Sequence, residues 1–194
     1  MGKNQKTQSG SGRRRASTSR TRGSEAGDLK KSPISREFSS GGVVYKPSDT
    51  VKEGFWLIRS TKPNDLFPKQ HWTLPKGWID DEAEGIPGPI ASGRKKATEE
   101  DLQKTAIREV REEGGVEASI VKKIGSTKIF YKHPLRGPVL KFITFYLMKW
   151  EKDLLNGWDE ETEEVVWLPF DEACKKLSFS NEKQILKKAE DMLV

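Results

Sequence analysis

The 194-residue chain has one cysteine, no long apolar run, and hardly an apolar side chain in its first 36 residues. Cys174 has no partner for an internal disulfide, which fits a reducing, cytoplasmic setting. It lies in a helical pattern with Ala173 and Leu177 and with no histidine close in sequence, so it reads as a small packed residue rather than a nucleophile. The longest apolar stretch, Phe142 to Met148, is far too short to span a bilayer, and no membrane partner is expected. The first residues contain no apolar core of a secretory signal. No self-similarity appears at the periods of solenoid repeats.

What is present is charge, unevenly placed. The net charge is +6, yet residues 1–36 carry ten Lys or Arg against two acids, leaving 25 basic and 27 acidic residues in 37–194. The basic character therefore belongs to a Ser-, Gly- and Arg-rich tail. Such a composition cannot bury enough surface to offset the entropy of ordering, so residues 1–36 are expected to be a disordered basic tail and 37–194 the domain. The tail suits contact with nucleic acid or an acidic surface, or simply keeps the chain soluble. The domain's balance of −2 argues against an extended RNA groove.

Along the domain, SSGGVVYK and GFWLIRS read as paired strands across a polar loop. HWTL reads as a short strand ending at Pro75, followed by a turn at Lys76 and Gly77. Residues 80–97, with two prolines and three glycines, have no periodicity and read as a loop. Leu102, Ala106, Ile107 and Val110 form one face of a helix from Glu99 to Glu113, with acids in its first turn and Gly114-Gly115 at its end. Two long strands follow, broken at HPLRGP, then the strand EEVVWLP and two terminal helices. This order predicts an α/β layered domain. Trp56, Trp72, Trp150 and Trp167 fall in strand patterns and read as core.

On the central helix, Glu109, Glu112 and Glu113 stand at i, i+3 and i+4, which puts three carboxylates on one face. Like charges at that spacing repel. They need a compensating cation, and a hard divalent ion with oxygen ligands would serve. A solvated face with ordinary salt bridges is the alternative.

The wider pattern favours the metal. Gly77, Glu100, Arg108-Glu109-Val110, Glu112-Glu113 and Gly115-Val116 fill every named position of the Nudix box, G-x5-E-x7-R-E-U-x-E-E-x-G-U. The chain resembles the Nudix hydrolases from about Phe38 onward. It departs only in spacing: Gly77 to Glu100 is 23 positions where the box has six, a 17-residue insertion. Loop-closure entropy rises slowly enough with length to tolerate it. Its glycines and prolines suggest a mobile flap, with Arg94, Lys95 and Lys96 near the substrate's entry; a neutral surface loop is the other reading.

The resemblance implies an α/β/α sandwich with a mixed β-sheet, and hydrolysis of a nucleoside diphosphate linked to another group with Mg²⁺ or Mn²⁺. It implies metal ligation by Glu109, Glu112, Glu113 and the Gly77 carbonyl, a catalytic part for Glu112 or Glu113, and supporting parts for Arg108 and Glu100. A later glutamate, Glu161 or Glu164, is a further ligand or base, unless those acids only form a hairpin rim. Lys76, Trp78, Tyr131, Arg136 and Lys183 are the candidate substrate contacts, with core packing the other reading for Tyr131. The arrangement looks most like members acting on diadenosine polyphosphates. Hydrolysis of oxidised nucleoside triphosphates, diphosphoinositol polyphosphates or the 5′ end of RNA, and nucleotide binding by a non-catalytic regulator, are the alternatives.

Overall fold

The computed structural model describes residues 33–50 and 54–193. The expected disordered tail lies outside them as far as residue 32, but Ser35 and Arg36, assigned above to that tail, already belong to the first strand. This strand, β1 (Ser35–Lys46), runs parallel to β8 (Gly137–Asp153) from Ser35↔Val139 to Tyr45↔Lys149. The rest of β1's ladder is antiparallel. Its end pairs with β2 (Phe55–Thr61) at Tyr45↔Trp56, and its middle pairs with the short β4 (Lys76–Trp78) at Ser40↔Gly77. The turn expected at Lys76-Gly77 is thus a strand. Three residues after a proline are too few for any periodicity to show.

Strand β7 (Val116–His133) pairs antiparallel with β8 at one edge, and β3 (Trp72–Thr73) and β9 (Thr162–Leu168) both flank β2. The result is a mixed sheet of seven strands. Residues 80–97 are not wholly irregular either. They contain a small separate hairpin, β5 (Asp81–Ala83) with β6 (Ile86–Pro87).

Helices cover both faces. The apolar side of α1 (Glu99–Gly114) buries Ala106 and Val110 against Val44, Leu57, Tyr146 and Met148. Gly42 of β1 lies directly under Val110, and a side chain there would collide with it, so the glycine sets how closely α1 approaches the sheet. On the opposite face, α2 (Phe170–Lys176) and α3 (Ser180–Asp191) contribute Ala173, Ile185, Leu186 and Ala189 to a core with Val43, Trp56, Ile58, Ile143 and Phe145. Each fully buried aliphatic contributes roughly 1.5–3 kcal/mol relative to exposure. Trp56 is fully buried, Trp72, Trp150 and Trp167 pack at the core margins, and Cys174 packs beside α2's core residues. Among the described residues no helix is long and apolar enough to cross a membrane.

Candidate active site

Helix α1 is fixed at both ends, and this fixes its acids. Thr98 and Asp101 form a reciprocal capping box, with Asp101 N–H donating to Thr98 Oγ1 at 3.1 Å and Thr98 N–H to Asp101 Oδ2 at 2.9 Å. At the other end Gly115 takes the left-handed conformation, φ 65°, and donates to the Arg111 carbonyl. The chain returning from β8 then serves the last carbonyls. Leu154 N–H reaches Gly115 O and Asp159 N–H reaches Glu112 O, each at 2.8 Å, and Thr162 Oγ1 donates to Glu113 O at 3.1 Å. These bonds also hold Glu161 beside the helix.

The three glutamates do not behave alike. Glu109 is 5 % exposed and its carboxylate presses against Gly77 of β4, where any side chain would overlap it. This gives the glycine of the box a steric reason. Arg108 spans Glu109 and Glu112, at 2.5 Å and 2.6 Å, and donates to the Trp78 carbonyl at 2.9 Å. Burial pushes the Glu109 carboxyl up to about 7, with the Glu112 charge adding and Arg108 opposing. Glu112 is about half exposed. Glu113 is buried and turned elsewhere: it pairs with Arg59 of β2 and accepts the Lys76 N–H at 2.6 Å.

A second charged group adjoins the first. The Lys76 ammonium lies 3.0 Å from Glu182 of α3, and Glu182 also accepts from Thr73 Oγ1 at 2.8 Å and Leu74 N–H at 3.0 Å. Burial lowers the Lys76 amine from its ordinary value, partly offset by Glu182. Lys76 is therefore engaged in the interior. In the SNEKQ segment it is Glu182 that turns inward, whereas the Lys183 ammonium bonds the Lys175 carbonyl at 3.4 Å, with no contact to the α1 acids.

The third group centres on Glu37 of β1, which is 1 % exposed. Its carboxylate accepts from Trp78 Nε1 at 3.1 Å and Tyr131 Oη at 3.0 Å, and pairs with Arg136. Lys141 is its register partner on β8. Burial pushes Glu37 up, but the Trp78 hydrogen bond, the Lys141 charge and the Arg136 contact together hold it below the usual carboxylate value. Burial brings the Lys141 amine down to about 8, with Glu37 and Glu109 among its opposing charges. Burial and the Glu37 charge push the Tyr131 phenol up.

The structure thus brings together Gly77, Arg108, Glu109 and Glu112, with Glu113 adjoining through β4, and gathers Trp78, Tyr131 and Arg136 around Glu37. Glu100 stays apart, paired with Lys104 at 2.7 Å on the exposed side of α1. Glu161 stands nearer the centre than Glu164: its carbonyl accepts from Arg59 at 3.4 Å, and its charge acts on both Arg59 and Glu109. Glu164 is exposed on β9 opposite Ser60. Arg59, Glu182, Glu37 and Lys141 were not singled out from the sequence. Arg59 and Lys141 are single charged residues in otherwise apolar or small-residue stretches, whereas Glu37 and Glu182 stand beside Arg36 and Lys183, and in neither case does the sequence name a partner.

Among the described residues no three acidic, histidine or cysteine side chains converge as a ready-made metal cage. The donor chemistry nevertheless fits a hard divalent ion. Glu109 and Glu112 share one guanidinium between two carboxylates, and burial at Glu109 disfavours its charge until more positive charge arrives.

The NUDIX domain family model matches residues 39–188. A relative named as mutator protein MutT4 of Mycobacterium tuberculosis is 26 % identical over 178 residues, covering 92 % of this chain and 64 % of its own length, so the chain spans less than two thirds of that relative. Among solved structures, a Caenorhabditis elegans Ap4A hydrolase binary complex superposes with a TM-score of 0.53 at 21 % identity, over 81 % of this chain and 97 % of that one. The NUDIX domain of Shewanella oneidensis NrtR, complexed with ADP ribose, gives 0.52 at 15 % identity, over 85 % and 93 %. At these identities the superpositions carry the fold alone, and the fold agrees with the family model: the chain belongs to the NUDIX domain family.

Proposed function

We propose that the chain is a metal-dependent pyrophosphohydrolase cleaving a nucleoside diphosphate linked to another moiety, with dinucleoside polyphosphates such as diadenosine polyphosphates as substrates. The observation that carries this is the Glu109–Arg108–Glu112 bridge packed on Gly77, with the cationic and aromatic Lys141, Arg136 and Trp78 close by. Glu109, Glu112 and the Gly77 carbonyl would hold Mg²⁺ or Mn²⁺, with Glu113 joining if it leaves Arg59, and Glu161 as the later acid. The ion supplies charge neutralisation at phosphorus and an acidified water. Arg108 orients the two carboxylates, while Trp78, Tyr131 and Arg136 contribute aromatic surface and positive charge for an anionic nucleotide. The choice of dinucleoside polyphosphates rests on the likeness of the chain's segments to such hydrolases, and a neighbour carrying the name Ap4A hydrolase supports it. A cytoplasmic location belongs to the same proposal.

The test is a panel of dinucleoside polyphosphates, nucleoside triphosphates and 5′-triphosphate RNA, assayed with Mg²⁺ and after exhaustive chelation. Turnover should need the cation and be greatest on the dinucleoside polyphosphates. Glu112→Gln should lose about a hundredfold or more in rate with the fold intact, the scale of losing one electrostatic group at a reacting centre. Full turnover after chelation would overturn the metal, and preferred cleavage of RNA would overturn the substrate.

A further inference from the structure

A buried carboxylate is a poor choice for stability alone, because well-packed apolar residues of similar volume do as well or better than a buried ion pair. Glu37 is nevertheless almost fully buried, and its bonds have a common direction. Trp78 comes from β4, Tyr131 from the end of β7, and Arg136 from the turn between β7 and β8. One carboxylate therefore fastens the far tip of the long hairpin to the strand whose Gly77 carries Glu109.

The groups it fastens are not closed upon themselves. The Arg136 guanidinium lies 5.2 Å from the centre of the Trp78 ring, and the Lys141 ammonium 5.8 Å from the same ring. Arg136 Nε is buried without a hydrogen-bond partner. Lys141 enters no ion pair among the described residues, although Glu37 and Glu109 act on its charge. Register places Glu37, Trp78 and Lys141 on the sheet face that Val43 shares with α2 and α3, while Glu109 reaches Gly77 from the other. Arg136 and the Trp78 indole are thus held, with Lys141 beside them, by an acid that is itself shielded from solvent, and the Lys141 charge is felt at Glu109.

We infer that Glu37 is a positioning residue for the phosphate chain of the substrate, acting through Arg136 and Trp78 and not by touching the substrate. This rests on the polyphosphate reading above. Its effect belongs in binding more than in chemistry: without the carboxylate, Arg136 loses the charge-assisted bond that fixes its fork, and Trp78 its orienting acceptor.

The experiment uses the full chain and two readouts. Steady-state hydrolysis of diadenosine tetraphosphate gives KM and kcat, and calorimetry gives the Kd of inorganic tripolyphosphate, which needs no turnover. Glu37→Gln keeps the volume and removes the charge. KM and Kd should each rise about tenfold, the size of one charge-assisted hydrogen bond, with kcat falling less than threefold. Arg136→Gln should raise both constants to the same extent, and the double variant should be no worse than either single one, because one interaction is removed in each case. Independent, multiplying effects would overturn the assignment, as would Glu37→Gln with unchanged KM and Kd, or with a loss confined to kcat. If Glu37→Gln does not fold, Arg136→Gln alone decides: unchanged tripolyphosphate binding overturns the proposal. A wild-type chain that cleaves nothing but binds tripolyphosphate in a Glu37-dependent way would sink the hydrolase reading and leave this one standing.

Discussion

Glu109 is buried against β4, and burial, with the Glu112 charge adding to it, outweighs the guanidinium of Arg108 that the two acids share. Its folded value of about 7 stands above the ordinary 4.5, so the fold favours the protonated acid. The associated stabilisation is complete below about pH 4.5 and is lost as pH rises through about 7. In chelator, Glu109→Gln should match the wild type at pH 4 and be more stable at pH 8, by up to about 3 kcal/mol. Denaturant unfolding at the two pH values measures this; a variant less stable than the wild type at pH 8 would mean that the Arg108 pairing outweighs desolvation. Neighbouring Glu113 shows that spacing does not fix a side chain's partner. The i, i+4 relation to Glu109 is right, yet Arg59 draws its carboxylate aside.

At the scale of elements, the insertion before α1 is the informative case. Its composition suggests a mobile flap with free cations. In the structure Asp80 accepts the N–H groups of Ile90 and Ala91 at 3.1 Å and 2.7 Å, the Phe38 N–H reaches the Ala91 carbonyl at 2.7 Å, and Arg94 pairs with Glu82 at 2.6 Å. Ala91 is fully buried, and Gly93, φ 75°, leaves room for the Phe38 ring. The segment is fastened to the start of β1. Asp80→Ala should leave the fold but cost about 1–3 kcal/mol, since two N–H groups lose their acceptor. Hydrogen exchange should then quicken at Ile90 and Ala91 while α1 stays protected; unchanged exchange would show that the carboxylate is not the anchor. The fastening was hidden in the sequence because one aspartate among several acids does not announce which amides it will meet.

At the scale of the whole molecule, the strands, helices and candidate site described above all lie from Ser35 onward. We propose that the basic segment before it is dispensable for chemistry and serves contact with nucleic acid or an acidic surface. A chain beginning at residue 33 should hydrolyse a small nucleotide with unchanged kcat and KM. The full chain alone should bind RNA weakly, with affinity falling steeply as salt rises. Loss of small-substrate turnover on truncation would place part of the site in the tail.

The sequence by itself determined the central helix, the glycines that end it and its acids, the two long strands and the terminal helices. These depend on local periodicity and on residues a few positions apart, which any chain displays in one dimension. It also determined the family, because the box residues follow one another in order along the chain, from Gly77 of β4 through α1 to Val116 at the start of β7. Only the tertiary structure decided that Glu113 faces Arg59, that Glu182 rather than Lys183 turns toward Lys76, that Glu100 stands aside, and that Glu37 gathers Trp78, Tyr131 and Arg136. Those pairings join residues from about 40 to more than 100 positions apart, except that of Glu100 with Lys104. Each buried charge is committed to the partner that chain packing brings within reach, a choice made by desolvation and geometry and not by sequence spacing.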